Sequence, residues 1–162
     1  MSIRHVLVLL SALATAGCAT SYQDSGLTGG FSETQLSENI FRVKFQGNGF
    51  TNSERAADFA LLRSAELTRQ NGYSYFAIVE EGSAIDKSYY TSPTTTSATA
   101  STYGNTTHTT ARTSGGQIHT ITKPRSEMTI VLFHEQPRDG IAYSADFVFR
   151  EIREKYNLEN GK

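Results

Sequence analysis

The chain has 162 residues, the size of one ordinary domain. Lys and Arg total 15 against 16 Asp and Glu, a formal charge of -1, so there is no basic field to draw it to nucleic acid or anionic lipid. A single cysteine excludes an intrachain disulfide and a tetrathiolate metal site, and hydrophobic and charged fractions of 38% and 19% predict a modest core beside an uncharged polar segment.

Arg4 precedes the apolar run Val6 to Leu10, which continues after Ser11 through Ala12, Leu13, Ala14, Thr15 and Ala16. As a helix this stretch covers about 16 Å, well short of the ~30 Å hydrocarbon core of a bilayer. Its small-residue end suits the narrow cleft of a signal peptidase, so residues 1–17 are expected to be an export signal. Cys18 follows Thr15-Ala16-Gly17, an arrangement that resembles a bacterial lipobox, with cleavage between Gly17 and Cys18 and acylation of the thiol. Thr15 departs from the large aliphatic residue usual there, and Ala14-Thr15-Ala16 also offers an ordinary signal peptidase a cut after Ala16. That second cut would leave a soluble periplasmic protein with an unpaired thiol in an oxidising compartment, a liability that favours the anchored reading. Ala19 stands where lipoproteins kept at the inner membrane typically carry Asp, so resemblance to sorted lipoproteins implies the periplasmic face of the outer membrane.

Residues 18–38 are rich in Ser, Thr, Gly, Gln and Asp without sustained periodicity, and are expected to be the lipidated N-terminus and a flexible tether reaching about 25 Å. Phe41, Val43 and Phe45 then alternate with Arg42, Lys44 and Gln46, the signature of a half-buried strand, which Gly47-Asn48-Gly49 ends. Thr51-Asn52-Ser53-Glu54 matches a capping box and predicts a helix from Asn52 to Asn71, stopped by Gly72. Its core face is expected to hold Ala56, Ala57, Ala60, Leu61, Ser64, Ala65 and Leu67. A second strand over Tyr73 to Glu80 completes a strand, helix, strand pattern, which predicts a right-handed βαβ unit.

Between Thr91 and Ser114, 15 of 24 residues are Ser or Thr. Such a stretch buries too little apolar area to offset its ordering entropy, leaving disorder or an elongated hairpin as the alternatives for the insertion at 88–116. Order is expected to resume with Gln117 to Thr122 and, after Lys123-Pro124, with a central strand from Glu127 to His134 that is apolar on both faces. Ser144 is placed to cap a last helix with Ala145, Val148, Phe149, Ile152 and Tyr156 as its core stripe, before a frayed tail at 159–162. The predicted fold over 39–158 is α+β: a small three- to four-stranded mixed sheet with two helices packed on one face.

The chain shows little that points to catalysis. Glu80 and Glu81 are adjacent in a strand and point to opposite faces, poorly placed as an acid and base pair. Gly26 to Gly30 lacks the Lys-Ser/Thr of a phosphate loop, and no G-x-S-x-G elbow frames any serine. His108 and His119, eleven residues apart, would bind a metal if a hairpin joined them, but no third ligand has suitable spacing; no metal or cofactor is therefore predicted. Tyr89 and Tyr90 supply amphipathic contact area at low entropy cost and are the candidate partner-contact residues.

Gly30-Phe31-Ser32-Glu33-Thr34-Gln35-Leu36 and Phe41-Arg42-Val43-Lys44-Phe45-Gln46-Gly47-Asn48-Gly49, with Ala65-Glu66-Leu67-Thr68 and Gly72-Tyr73, resemble a family of small proteobacterial envelope lipoproteins. The resemblance spans the signal, the first strand and helix, and the insertion before Lys123-Pro124. It implies an anchored α/β envelope domain and carries over no catalytic or ligand residue. The expected function is that of a membrane-anchored, non-enzymatic lipoprotein contacting an envelope protein or peptidoglycan. The alternative is a periplasmic ligand or metal sensor using His108 and His119.

Overall fold

A computed structural model describes residues 19–158; the signal expected at 1–17, with its cleavage site at Gly17 and Cys18, and the frayed tail expected at 159–162 lie outside the described residues. The described chain forms two units, one made of residues 19–86 and 123–158, the other of Lys87–Thr122.

The first unit is α+β. Strands β1 (Gly30–Ser37) and β2 (Ile40–Gln46) are joined by a tight turn, followed by helix α1 (Ser53–Gln70) and strand β3 (Tyr75–Thr91). Strand β6 (Ile118–Phe133), the short β7 (Tyr143–Ser144) and helix α2 (Ala145–Lys155) complete it, residues 87–91 of β3 and 118–122 of β6 belonging to the second unit. The sheet is antiparallel, in the order β1-β2-β6-β3-β7. It therefore has five strands, more than the three or four expected, and is not mixed. The alternation read in β2 holds: Phe41, Val43 and Phe45 are buried, while Arg42 and Lys44 pair with Glu127 at 3.4 and 3.3 Å.

The βαβ expectation needs correction. β2 and β3 are not neighbours, because β6 lies between them and pairs antiparallel with β2, Phe41 opposite Ile130 and Val43 opposite Met128. The crossover is split by a strand supplied from later in the chain. Central placement of β6 agrees with its apolar character, but the separate Gln117–Thr122 segment and the Glu127–His134 strand are one continuous strand through Pro124. Proline is tolerated there because the β2 ladder ends at Gln46–Arg125, and the Pro124 carbonyl still accepts the Gly47 N–H at 2.8 Å.

The tether expected over 18–38 is also overturned for the described part. Thr20 is buried, Tyr22 packs against the core, and residues 30–37 form an edge strand in register with β2, Phe31 opposite Phe45. Only Gly30 and Phe31 of this strand are buried, so it lacks the alternation that marks a half-buried strand.

Helix α1 starts one residue later than the capping box predicts. Asn52, not Thr51, is the N-cap, its side chain accepting the Arg55 N–H at 2.8 Å. The buried face is also shifted: Phe59, Leu62 and Thr68 are buried, whereas Ala57 and Leu61 are only partly so. Ser64 and Thr68 are tolerated inside because each hydroxyl donates to the carbonyl four residues earlier, Ala60 at 2.9 Å and Ser64 at 2.7 Å. Along α2 the predicted stripe holds, with Ala145, Val148 and Ile152 buried and Phe149 and Tyr156 packed at the core margin. Ser144 occupies the N-cap position but makes no side-chain capping bond.

In the second unit β4 (Thr95–Tyr103) and β5 (Thr106–Ser114) pair antiparallel over their full length. Of the two alternatives for the Ser/Thr-rich insertion, the structure takes the hairpin. Gly104 has φ +60 at the first position of a two-residue turn, the geometry of a type II′ hairpin. Thr96–Thr113 and Thr102–Thr107 hydroxyl pairs at 3.0 Å bridge the strands. The unit's bounds, Lys87–Thr122, are wider than the expected 88–116 because β3 and β6 extend past those limits as strands.

Candidate functional site

The residues singled out by sequence fall in separate places. Tyr89 and Tyr90 lie near the end of β3, 66% and 50% exposed. Tyr90 stacks on His119 with ring centroids 4.9 Å apart and planes 19° from parallel, a neighbour that sequence spacing did not indicate. His108 sits on β5 opposite Ser101. The two histidines thus have different neighbours, and among the described residues no group of three His, Cys, Asp or Glu side chains could hold a metal ion.

A buried polar assembly lies at the N-terminal end of the described chain, where Thr20 is clasped by the loop before α1. The Thr20 N–H donates to Thr51 Oγ1 at 3.0 Å, and the Asn48 N–H donates to Thr20 Oγ1 at 2.8 Å. Thr20 Oγ1 in turn donates to the Thr28 carbonyl at 2.9 Å, and Thr51 Oγ1 lies 3.0 Å from Asn48 Oδ1. That oxygen also accepts the Phe50 N–H at 2.9 Å, which fixes the loop tip. Thr20 and Thr51 are both buried, so these bonds are made away from competing water and would be costly to leave unmade. Thr51 belongs to this clasp, which is why it does not cap the helix.

Tyr22 extends the clasp into the core. Its ring lies 4.8 Å from Phe31 and 5.3 Å from Phe59, and its hydroxyl donates to Glu66 Oε2 at 2.5 Å. Glu66 also accepts from Arg63 at 3.0 Å, and Arg63 holds Glu33 of β1 through two bonds at 2.8 and 3.2 Å while lying 4.5 Å over the Phe31 ring. Burial opposes the Arg63 charge, but the bonds to Glu33 and Glu66 outweigh it and hold the guanidinium above its ordinary range. Burial first, and then the hydrogen bond and charge of Glu66, push the Tyr22 hydroxyl well above the usual tyrosine range. Tyr156, partly buried and donating to Asp58 at 2.7 Å, is pushed up to about 12.

These shifts set an alkaline dependence. The unfolded chain loses the tyrosine protons first, so it binds fewer protons than the native state and stability falls as pH rises. The contribution is complete below pH ~10, the ordinary tyrosine value, and is lost through and above it. Tyr22→Phe is expected to cost about 1 kcal/mol at pH 7 and to make the decline above pH 10 shallower. Urea unfolding at several pH values between 7 and 11 reads both effects; an unchanged alkaline slope would show that the Tyr22 hydroxyl is not held protonated.

A shallow groove beside β6 is lined by Glu80, Glu81, Gly82, Arg125, Glu127 and Thr129. Thr129 Oγ1 lies 3.4 Å from Glu80 Oε2, and Glu127 is held by Arg42 and Lys44. The groove is open and its charges are mixed, and it brings Glu80 and Glu81 to one lining, where opposite faces were expected. Among the described residues no helix is long and apolar enough to cross a membrane.

No family model, curated protein or solved structure matches the chain. Sequence reasoning missed the clasp because Thr20, Asn48 and Thr51 are ordinary loop residues whose only signal is the company they keep in space. It missed the Tyr90–His119 stack for the same reason. The hairpin was signalled more openly, since Gly104-Asn105 between β-branched runs is a recognised turn pair.

Proposed function

We propose that the chain is a lipid-anchored envelope protein, attached through Cys18 at the periplasmic face of the outer membrane, that acts without catalysis by contacting an envelope protein. The anchor rests on the layout of residues 1–18, and the localisation on Ala19 after the cysteine. In this reading both helices cover the same sheet face. Burial of alternate residues on β2 and β6 supports that arrangement, with Arg42, Lys44, Glu127 and Thr129 left accessible on the other side.

The observation that supports a binding role best is the make-up of the second unit. None of its residues is buried, yet it presents Tyr89, Tyr90, Tyr103 and Ile118, all at least half exposed. The β4–β5 ribbon and the ends of β3 and β6 that make up this unit have no apolar core, and exposed aromatic side chains on them gain from being covered. Tyr90 is already fixed against His119, so less side-chain entropy is lost when a partner closes over it.

The test is a photo-crosslinking amino acid placed at Tyr89 or Tyr90 in the cell, with Phe147 on α2 as an exposed control. A discrete protein adduct from the tyrosine positions and none from the control is the expected result, weakened by alanine at the other tyrosine. Adducts to peptidoglycan, or equal labelling at all three positions, would overturn the protein-partner reading. Intact mass of membrane-extracted protein, compared with Cys18→Ala, checks the anchor independently.

A further inference from the structure

We infer that the end of the first unit carrying Leu27 and Phe50 lies directly on the lipid bilayer, with both side chains inserted at the headgroup boundary. This rests on acylation of Cys18, the reading proposed above. The body is fixed from Thr20 onward by four hydrogen bonds, so Ala19 alone separates the held chain from the cysteine. Two residues span at most about 7 Å, against the about 25 Å that a 20-residue coil would allow. An acylated Cys18 therefore brings the clasp itself to the membrane surface.

Two exposed apolar residues stand on the loops bonded to Thr20. Leu27 is fully exposed at the apex of a turn closed by reciprocal bonds between Gly26 and Gly29 at 3.0 and 3.1 Å, and the adjoining Thr28 carbonyl accepts from Thr20. Phe50 is 73% exposed on the loop whose Asn48 and Thr51 hold Thr20. Both tips are thus held by the same network that holds the emerging chain, and an apolar receiver placed against them would gain from burying them. The place where the chain leaves toward Cys18 selects the lipid surface as that receiver. Asp24, also exposed in this segment, fits the headgroup layer and not the hydrocarbon.

The chain has no tryptophan, so one introduced indole reports without background. Leu27→Trp and Phe50→Trp variants of the full chain would be processed in cells, extracted, checked by mass and reconstituted in phosphatidylethanolamine–phosphatidylglycerol vesicles. Ile141→Trp is the control: Ile141 is exposed and precedes Tyr143, which pairs with Phe76 at the end of the sheet opposite the Gly30–Gln46 pair. Blue-shifted emission and severalfold stronger quenching by brominated acyl chains at positions 27 and 50 than at 141 are expected. Acylated protein whose 27 and 50 reporters remain in water would overturn the docking and leave the anchor standing. Protein of unmodified Cys18 mass would overturn both. Protection from aqueous quencher without bromolipid quenching would assign the face to a protein and would also overturn the inference.

Discussion

Phe59→Ala is expected to lower stability by about 3–5 kcal/mol, a large fraction of the total for a domain of this size. Phe59 is fully buried on α1, and its ring meets three others edge-on: Phe45 of β2 at 5.1 Å, Tyr156 after α2 at 4.9 Å and Tyr22 of the N-terminal segment at 5.3 Å. Arg55 lies 4.8 Å from its centroid. Truncation would open a cavity where a strand, both helical segments and the chain entering from Thr20 converge, and none of these can relax without losing its own contacts. Phe147→Ala on the exposed side of α2 should change stability by no more than about 0.5 kcal/mol. Urea unfolding reads the difference as a shift in midpoint at unchanged slope. Equal effects at the two positions would show that Phe59 is not the common contact of these elements.

Gly29→Ala is expected to cost about 2–5 kcal/mol, and Gly72→Ala only about 1–2. Both glycines adopt positive φ, +98° and +78°, so both substitutions incur backbone strain. They differ in space. A Cβ on Gly72 meets nothing within 4 Å, whereas one on Gly29 would lie 2.2 Å from the Gln46 carbonyl oxygen and 3.2 Å from Thr20 Cγ2. Gln46 is held in the ladder by β1 and β6 and cannot withdraw. The strain is therefore relieved by opening the clasp, and hydrogen exchange at the Thr20 and Asn48 amides should lose protection in Gly29→Ala alone. Similar midpoints for both variants, with Thr20 still protected, would show that the loop accommodates the methyl group.

The membrane inference depends on that clasp. If Thr20 were released, the link to Cys18 would lengthen from Ala19 to residues 19–21, up to Tyr22 where the ring packs on Phe31 and Phe59, and Leu27 and Phe50 would be held less closely with respect to Cys18. Gly29→Ala is thus also expected to reduce bromolipid quenching of the Phe50→Trp reporter while leaving Cys18 acylation unchanged.

Sequence periodicity located β2, the helical segments and the apolar core of β6, because each of these buries one face and repeats at the spacing of its backbone. Phe41, Val43 and Phe45, or Ala145, Val148 and Ile152, are legible for that reason. An edge strand has no such obligation. β1 buries Gly30 and Phe31 alone and takes its order from the β2 ladder, which leaves a sequence indistinguishable from linker. Phe59 was missed on the α1 face because a wheel with a single core direction does not show a helix that is also covered by α2 and by Tyr22.

By itself the sequence determined an α+β body and a Ser/Thr-rich insertion whose composition denies it a core, and it carries the export and lipidation signal proposed here. Strand order, the folding of residues 20–37 and the choice of hairpin over disorder were decided by pairing between segments far apart in the chain. Hydrogen-bond ladders accept almost any residue, and so leave little trace in sequence; Thr20 bound to Thr51, 31 residues away, is recognisable only once both are in place.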